Sequence, residues 1–492
     1  MKLITKKAFL GYLDCPTKGN MIMNEPAQTL SESDSFRIQQ GREIEELAYA
    51  LFPDGLRVEG KSFADACSQT SMLLSLHPDS TLFEAAVETD AFRARADILV
   101  PINGGAFHLI EVKSKTDKTK DLAELHADAA YTSLVFRLAG FVISKISVLV
   151  ISKDYRLGMP AESLFTSWDI TTDVNELVDG WVPILGDIVD ACQNGIPSAV
   201  GEKCRNCAFF QQGCVGESVA NHVLQIPNLR GRKLGNLLTA GIESIENIPS
   251  EAELTEKQKV VVESVQLGRP VLTGALADEL SNLEWPLCFL DFETVSTALP
   301  LYPELAPWTQ CVSQFSLHTM KEDGGLHHAE FLAAPEQDCR RMLAMSLLDE
   351  LGDTGSIIVY SSFERVTLQA LAKLYPDLAV PLQSCIDRFV DLLALIRNHY
   401  YHPSFQGSYS IKKVLPAMLP TFGYGHLAVA DGDMAITQFA RMARGELPLP
   451  EIMQVRRNLL AYCKQDTWAM VLLLDQLFQI AGLQPILMEE AA

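Results

Sequence analysis

The hydrophobic and polar positions of the chain follow two different periods. Apolar residues at helical spacing predict a helix over residues 38–52, and a second helical pattern covers residues 122–140. Between them the apolar residues form short runs bounded by turn residues such as Pro101 and Gly105, which is typical of strands. We therefore predict a meander of three strands at residues 81–87, 95–100 and 107–113.

The C-terminal half mixes the two periods in the same way. Its pattern predicts strands at residues 286–294, 308–318 and 356–360, and helices at residues 338–352 and on a long stretch that ends near residue 477. Such a mixture predicts an α/β architecture. A chain of 492 residues is too long for one core. We predict three parts, with a connector of short helices in the middle: residues 1–220, 221–285 and 286–492.

Two carboxylates end the apolar run of Leu290-Asp291-Phe292-Glu293-Thr294. Successive side chains of a strand alternate between its faces, so Asp291 and Glu293 point to one side while Phe292 enters the core. Two carboxylates on one side are costly to keep ionised without a cation, and a hard divalent ion such as Mg²⁺ or Mn²⁺ would relieve that cost. A strand end with two solvated acids is the alternative.

The N-terminal meander carries a similar set of charges. Glu111 and Lys113 share a face of the third predicted strand, and hairpin pairing would bring Asp97 beside Glu111. Two acids and a lysine can hold a metal and orient or help to deprotonate an attacking water. An incidental ion pair on a surface hairpin is the alternative.

Later in the chain, Tyr462 and Asp466 are four residues apart in a helical pattern and so share one face. Glu364 follows a buried strand at a strand-to-helix switch, where α/β sheets place their sites. Asp387 and Asp391 are other acids that could act in its place.

Four of the 11 cysteines form a pattern. Cys204, Cys207 and Cys214 have the spacing C-x₂-C-x₆-C, which is typical of a metal or cluster chelate, and Cys15 is the natural fourth ligand. Such a site would be structural and would close a long loop of the chain.

Charge limits the functions that remain. The chain has 40 basic and 62 acidic residues, a net charge of −22, so it lacks the footprint of a general nucleic-acid binder. A protein of this charge that held a long nucleic acid would need a local basic groove or a partner. The N-terminus does not resemble a signal peptide and no transmembrane run is present, so we expect a cytoplasmic protein without a membrane partner.

The segment around Asp97, Glu111 and Lys113 resembles the PD-(D/E)XK nuclease superfamily, in particular the RecB-like exonucleases. The resemblance implies a restriction-endonuclease-like fold, with Asp97 and Glu111 as metal ligands and Lys113 as the catalytic lysine. The family's Q-x-x-x-Y motif is not kept, because Thr132 and Phe136 stand at the aligned positions, and Glu45 or Glu46 lies where many members carry a helical histidine. The cysteine arrangement resembles the iron–sulfur members of this group, which implies a [4Fe–4S] cluster, with zinc as the alternative.

The order D-x-E, a later acid and Y-x₃-D resembles the tyrosine-containing DEDD exonucleases. This resemblance implies a ribonuclease H-like fold and a two-metal exonuclease mechanism. Its metal ligands would be Asp291, Glu293, Glu364 and Asp466, with Tyr462 as a catalytic residue.

As a whole the chain is similar to an uncharacterised bacterial family that fuses a RecB-like iron–sulfur nuclease domain to a DEDD-like domain of unknown function. In a loop rich in aromatic residues, Ser408, Tyr409 and Lys412 could contact phosphate or stack a base, or be ordinary surface residues. We expect a metal-dependent nuclease with two candidate active sites, acting from single-stranded ends, and we favour DNA over RNA as its substrate. The alternative is a nucleic-acid-binding scaffold in which one nuclease domain, more plausibly the N-terminal one, is inactive.

Overall fold

The chain is divided into two compact units. The computed structural model describes residues 2–26, 29–423, 427–429 and 431–487. The first unit comprises Met1–Ala199 and Ser296–Thr309, and the second unit comprises Val200–Val295 and Gln310–Ala492.

Seven helices and six strands of the first unit are described. The helices are α1 Lys6–Asp14, α2 Pro16–Asn24, α3 Glu32–Tyr49, α4 Phe63–Leu76, α5 Leu122–Leu138, α6 Thr171–Trp181 and α7 Leu185–Asn194. The strands are β1 Leu56–Arg57, β2 Leu82–Glu88, β3 Arg93–Ile102, β4 Ala106–Thr116, β5 Val142–Ile151 and β6 Phe165–Asp169. The predicted meander is therefore confirmed as β2 to β4, and the two predicted helices correspond to α3 and α5.

The six strands form one mixed sheet in the order β1-β2-β3-β4-β5-β6. The meander is antiparallel, and β5 runs parallel to β4 because the chain crosses over through α5. One face of the sheet packs on α5, whose Tyr131 is fully buried, and the other face packs on Ile44 and Ala48 of α3. Side chains that leave β3 and β4 are therefore enclosed by helices on either face.

The second unit contains ten described helices and seven described strands. The helices are α8 Gly231–Thr239, α9 Glu256–Leu267, α10 Leu276–Ser281, α11 Arg340–Leu351, α12 Phe363–Leu374, α13 Ala379–Asp387, α14 Leu392–His399, α15 Ile411–Met418, α16 Gly432–Ala443 and α17 Leu449–Ile480. The strands are β7 Val271–Leu272, β8 Leu287–Val295, β9 Cys311–Met320, β10 Leu326–Leu332, β11 Ile357–Val359, β12 Phe389–Asp391 and β13 Tyr400–Tyr401.

Five of these strands form a sheet in the order β10-β9-β8-β11-β12, and β13 pairs separately with β7. Strand β8 is antiparallel to β9 and parallel to β11, which in turn is parallel to β12. The carboxyl ends of β8, β11 and β12 consequently lie at one edge of the sheet, where open α/β sheets carry their sites.

Residues 221–285, which we predicted to be a separate connector, belong to the second unit. Their apolar side chains, for example Val223, Leu234 and Val261, share a core with Phe289 of β8 and Leu474 of α17. The first unit likewise ends at Ala199 and not at residue 220. The predicted boundary was wrong because the short helical patterns are amphipathic and bury one side, which a free connector would not do.

No helix in the described ranges has the length and apolar character needed to cross a membrane.

Candidate functional site

Three carboxylates converge beside the central strand of the second unit. Asp291 and Glu293 leave β8 on the same face, and Asp466 reaches them from α17. Each of the three offers one carboxylate oxygen, and these oxygens lie within 4.8 Å of one another. Among the described acids, histidines and cysteines, no other group of three or more has its ligand atoms this close together. The structure thus brings together the acids of the first and last motifs, which are about 170 residues apart in sequence.

The two faces of β8 explain why the acids converge. Leu290 and Phe292 pack into the core formed with α11 and α12. The opposite face meets α17, whose Thr467 hydroxyl lies 2.8 Å from both Ser316 Oγ and His318 Nδ1 of β9. These buried hydrogen bonds hold the helix against the sheet in one register, so Asp466 is directed at the acids of β8.

Glu364 is the fourth acid of the centre. It lies in the first turn of α12, is 2% exposed, and its Oε2 has no hydrogen-bond partner. A buried carboxylate oxygen without a partner is costly, which fits a ligand that a cation would satisfy. The structure favours Glu364 over the two alternatives, because Asp387 is exposed and bonded to Gln383 and Asp391 caps α14.

The electrostatics of the centre are those of an unneutralised acidic cluster. Burial raises the pKa of Asp291 well above its usual range, and the charges of Asp466, Glu293 and Glu364 raise it further. Burial and the charge of Asp466 raise the pKa of Glu293 to about 8. Burial likewise raises the pKa of Glu364 to about 8. Shifts of this kind cluster at functional sites because like charges are held together there.

Two groups at this centre were not identified from the sequence. The Cys463 thiol donates to Asp291 Oδ2 at 3.5 Å, which orients that carboxylate. The N-terminus of α16 faces Glu293, since a methyl group added at Gly432 would lie 4.0 Å from Glu293 Oε2. Cys463 is adjacent to Tyr462 in the late motif and could have been singled out, whereas no local signal connects Gly432 with β8.

Tyr462 lies one helical turn before Asp466 on α17 and is 6% exposed. Its side chain is therefore buried one turn away from the acid of the cluster.

The first unit contains a second charged centre, on the end of the meander. Asp97 Oδ2 accepts a hydrogen bond from the backbone N–H of Val112 at 2.7 Å, which holds it beside Glu111. Lys113 Nζ lies 3.0 Å from Glu111 Oε2, and Glu111 is 1% exposed. The structure thus places the three predicted residues of this centre together.

Two further residues complete this cluster. Lys6 of α1 contacts Glu111 Oε2 at 3.2 Å and Asp128 Oδ2 of α5 at 3.1 Å, and Lys113 also bonds to Asp128. Asp128 lies one turn before Thr132, so helical spacing could have indicated it. Lys6 is 105 residues from Glu111, and no sequence pattern relates the two.

The structure also describes Thr132 and Phe136, the residues at the positions where the Q-x-x-x-Y motif was expected. The Thr132 hydroxyl donates to Glu111 Oε1 at 2.6 Å. Phe136 is fully buried in the core of the first unit. Thr132 therefore contacts the acid that the sequence analysis singled out, whereas Phe136 is a core residue.

The pKa values in this cluster reflect both burial and pairing. Burial and the charge of Glu111 raise the pKa of Asp97 to about 8. Burial acts to lower the pKa of Lys113, but Glu111, Asp128 and Asp97 raise it well above its usual value. Burial raises the pKa of Glu45 on α3, and the charge of Glu84 adds to this.

The cysteines are divided between the two units. Cys204 and Cys207 lie on a short 3₁₀ turn, Glu202–Asn206, and at its end, and Cys214 precedes a second turn, Val215–Ser218. Cys15 is the N-cap of α2 in the first unit. Burial acts to raise the pKa of its thiol, but hydrogen bonds from Ser198 and from the backbone of Lys18 and Thr17 bring it below the usual value.

The predicted nucleic-acid contacts lie near one cavity of the second unit. Ser408 and Tyr409 line it, and so does Lys413, whereas Lys412 is not among its lining residues. The lysine that faces this cavity is therefore the one next to the predicted lysine.

Comparison with known families supports a relation in the second unit. A family model described as "Domain of unknown function (DUF2779)" matches residues 288–410. This segment includes Asp291, Glu293 and Glu364 but ends before Asp466. No curated protein matches the chain. A solved structure titled "Crystal structure of SSO0001" covers 42% of this chain and 90% of its own, with 16% identity and a TM-score of 0.17, a similarity too low to support an argument.

The metal-free second unit should lose stability as the pH rises. The pKa of Glu293 is about 8 when folded and that of an unfolded Glu is about 4.3. The folded state therefore binds more protons between these values, and its free energy of unfolding falls over that window. We expect Asp466→Asn to reduce this fall and to raise the melting temperature near pH 8 by about 3 °C, measured with a chelator present. Asp387→Asn is the matched control. An equal change in melting temperature in both variants would contradict repulsion between Asp466 and the acids of β8.

Lys6→Met should lower the free energy of unfolding of the first unit by about 1–2 kcal/mol, because the buried Glu111 loses one of its cationic partners. Lys7→Met is the control, since Lys7 is 71% exposed in its pair with Glu25, and we expect a change within about 0.5 kcal/mol. Chemical denaturation of both variants gives the comparison, and equal effects would show that Lys6 does not stabilise Glu111.

Proposed function

We propose that the protein is a metal-dependent nuclease that hydrolyses phosphodiester bonds in DNA, acting from single-stranded ends. The observation that carries this proposal is the convergence of Asp291, Glu293 and Asp466 within 4.8 Å. Partly buried carboxylates that repel one another are costly to keep ionised without a cation, and oxygen ligands suit Mg²⁺ or Mn²⁺.

The acids of the second unit fit such an ion. Asp291, Glu293 and Asp466 would hold it, and Glu364, whose charge acts on Asp291, has a buried oxygen without a hydrogen-bond partner. When bound, the ion would supply the charge that activates water and stabilises the leaving oxygen in phosphodiester hydrolysis. We assign the orientation of the attacking water to Tyr462, one turn from Asp466, and the positioning of Asp291 to Cys463, which donates to it.

This proposal extends to the fold. The order of acids along β8, α12 and α17 supports a ribonuclease H-like second unit with a DEDD-type exonuclease site. In the first unit, the contact of Asp97 with the backbone of β4 beside Glu111 and Lys113 supports a restriction-endonuclease-like site of the PD-(D/E)XK kind.

One observation favours a second function for the first unit. Lys6 and Lys113 both contact Glu111 and Asp128, so the acids of this centre are already partly neutralised by the chain's own cations. The second candidate is therefore that this unit binds nucleic acid without cutting it, while the second unit carries the nuclease activity.

The nuclease proposal predicts two separable losses of activity. We expect Asp291→Ala with Asp466→Ala to lower the rate of Mg²⁺- or Mn²⁺-dependent cleavage by about 100-fold or more, because the variant lacks two metal ligands. The pair Asp97→Ala with Lys113→Ala should remove the activity of the first unit, if that unit cuts. Labelled single- and double-stranded DNA and RNA are the substrates.

Asp387→Ala is the control for the second unit, since this acid is exposed and outside the centre. If the variant with all four substitutions degrades DNA as the wild type does, the proposal is wrong. A loss confined to the first pair would favour a binding role for the first unit.

For the cysteines we propose a [4Fe–4S] cluster, with Zn²⁺ as the alternative, to which Cys204, Cys207 and Cys214 of the second unit contribute three thiolates. In the first unit, hydrogen bonds lower the pKa of the Cys15 thiol, and the thiolate is the form that binds metal. The thiolates of a cubane cluster bind different iron atoms, so they stand farther apart than the ligands of one ion.

The cluster makes a spectroscopic prediction. Anaerobically purified protein should be brown and should lose its visible absorption on reduction, because a [4Fe–4S] centre is coloured and redox-active. Cys207→Ser should abolish the colour, whereas Cys67→Ser, at a thiol outside the pattern, should leave it. A colourless preparation that contains zinc would refute the cluster in favour of the zinc site.

A further inference from the structure

A cationic cavity in the second unit is lined by none of the acids of the carboxylate centre, although Cys207 of the cysteine pattern forms part of its wall. It has a volume of about 1170 Å³. Its walls come from residues 205–212, 224–228 and 255–261, together with Arg397 and residues 406–413. All of these residues belong to the second unit.

The charge of the cavity is opposite to that of the chain. The charged lining residues comprise four cations and one acid: Arg205, Lys257, Arg397, Lys413 and Glu256. The whole chain has 40 basic against 62 acidic residues. A concentration of cations on such a background is the local basic groove that a polyanionic ligand requires.

The cations differ in how they are held. Arg205 donates to the backbone carbonyls of the segment that follows the cysteine turn, including Ile226 O at 2.8 Å, so it is a fixed charge in the wall. Arg397 and Lys257 are exposed. Lys257 bonds to the neutral side chain of Asn398, and Lys413 to that of Gln406. The partners named here for Arg205, Lys257 and Lys413 are uncharged, so these contacts leave the positive charge of the cavity wall in place.

Aromatic rings adjoin the cations. The Arg397 guanidinium lies 5.6 Å from the centre of the Tyr409 ring. A smaller cavity of about 310 Å³ shares Lys257, Arg397 and Tyr409 with the larger one. Tyr400 and Tyr401 also line it but are buried, so Tyr409 is the partly accessible ring. Cations that track a backbone beside rings that stack bases are the two components of single-strand binding.

A hydrogen bond connects this region with the acidic centre of the same unit. Tyr360, directly after β11, donates its hydroxyl to Tyr409 O at 2.7 Å. Four residues later the chain reaches Glu364 at the start of α12. The loop that carries Tyr409 is therefore tied to the sheet edge from which the acids project.

We propose that this cavity is a binding track for single-stranded nucleic acid, with phosphates at Lys257, Arg397 and Lys413 and a base stacked on Tyr409. The inference rests on the proposed nuclease function, since it identifies the strand in the cavity as the substrate of the acidic centre of the same unit. A duplex is too stiff to present an unstacked base to Tyr409, so the track selects single strands.

Binding measured without cleavage tests the proposal. With a chelator present, fluorescence anisotropy of a labelled oligothymidine and of an oligouridine gives the affinity of the full chain. Lys257→Ala, Arg397→Ala and Lys413→Ala together should weaken binding by about tenfold or more. They should also make the slope of log affinity against log salt shallower by about 2. Tyr409→Ala should weaken binding about tenfold, and Tyr409→Leu, which keeps apolar packing without a π-face, should do the same.

The matched control carries Lys321→Ala, Arg341→Ala and Lys373→Ala, which change the net charge equally at exposed positions outside the cavity. Wild-type affinity in the cavity variants, or an equal loss in the control, would overturn the track. Equal binding of a duplex, or full displacement by polyglutamate at equal charge, would also overturn it. Binding is measured with a chelator and cleavage with Mg²⁺ or Mn²⁺, so the two proposals can fail separately. A wild-type protein that binds single strands but does not cut them with either ion would refute the nuclease proposal and leave the track intact.

Discussion

Electrostatic repulsion between partly buried carboxylates is the constraint around which the acidic centre of the second unit is organised. Asp291, Glu293 and Asp466 are held within 4.8 Å of one another by β8 and α17, where removal from water strengthens the repulsion among them. The metal-free fold accommodates this by holding protons, which is why the pKa values rise. In the function that we propose, a divalent cation replaces those protons and relieves the repulsion.

The arrangement of the sheet makes that repulsion sustainable. Strand β8 is central, and its Leu290 and Phe292 are packed into the core on the face opposite to the acids. Helix α17 is held to the sheet by Thr467, directly next to Asp466. The first unit reaches a different balance, because Lys6 and Lys113 offset its acids with charges of the chain. The two centres therefore differ in how far the chain's own cations offset their acids.

Local patterns predicted much of both units. The meander, its crossover helix and the late helix with Tyr462 and Asp466 follow from periodicity and spacing, which depend on residues close in sequence. The prediction of a separate connector at residues 221–285 was wrong because a short amphipathic helix has the same sequence pattern whether it links two domains or packs into one. Lys6 was missed since its contact with Glu111 joins positions 105 residues apart.

What the sequence by itself determined is the identity of the groups and the face on which each one lies. An acid pair at positions two apart in a strand, and a tyrosine and an acid four apart in a helix, each point in one direction whatever surrounds them. Only the tertiary structure decided that Glu364 joins these acids while Asp391 caps a helix, and that scattered cations from four segments line one cavity. Those outcomes depend on sheet order and helix packing, which bring distant residues together and which no local period encodes.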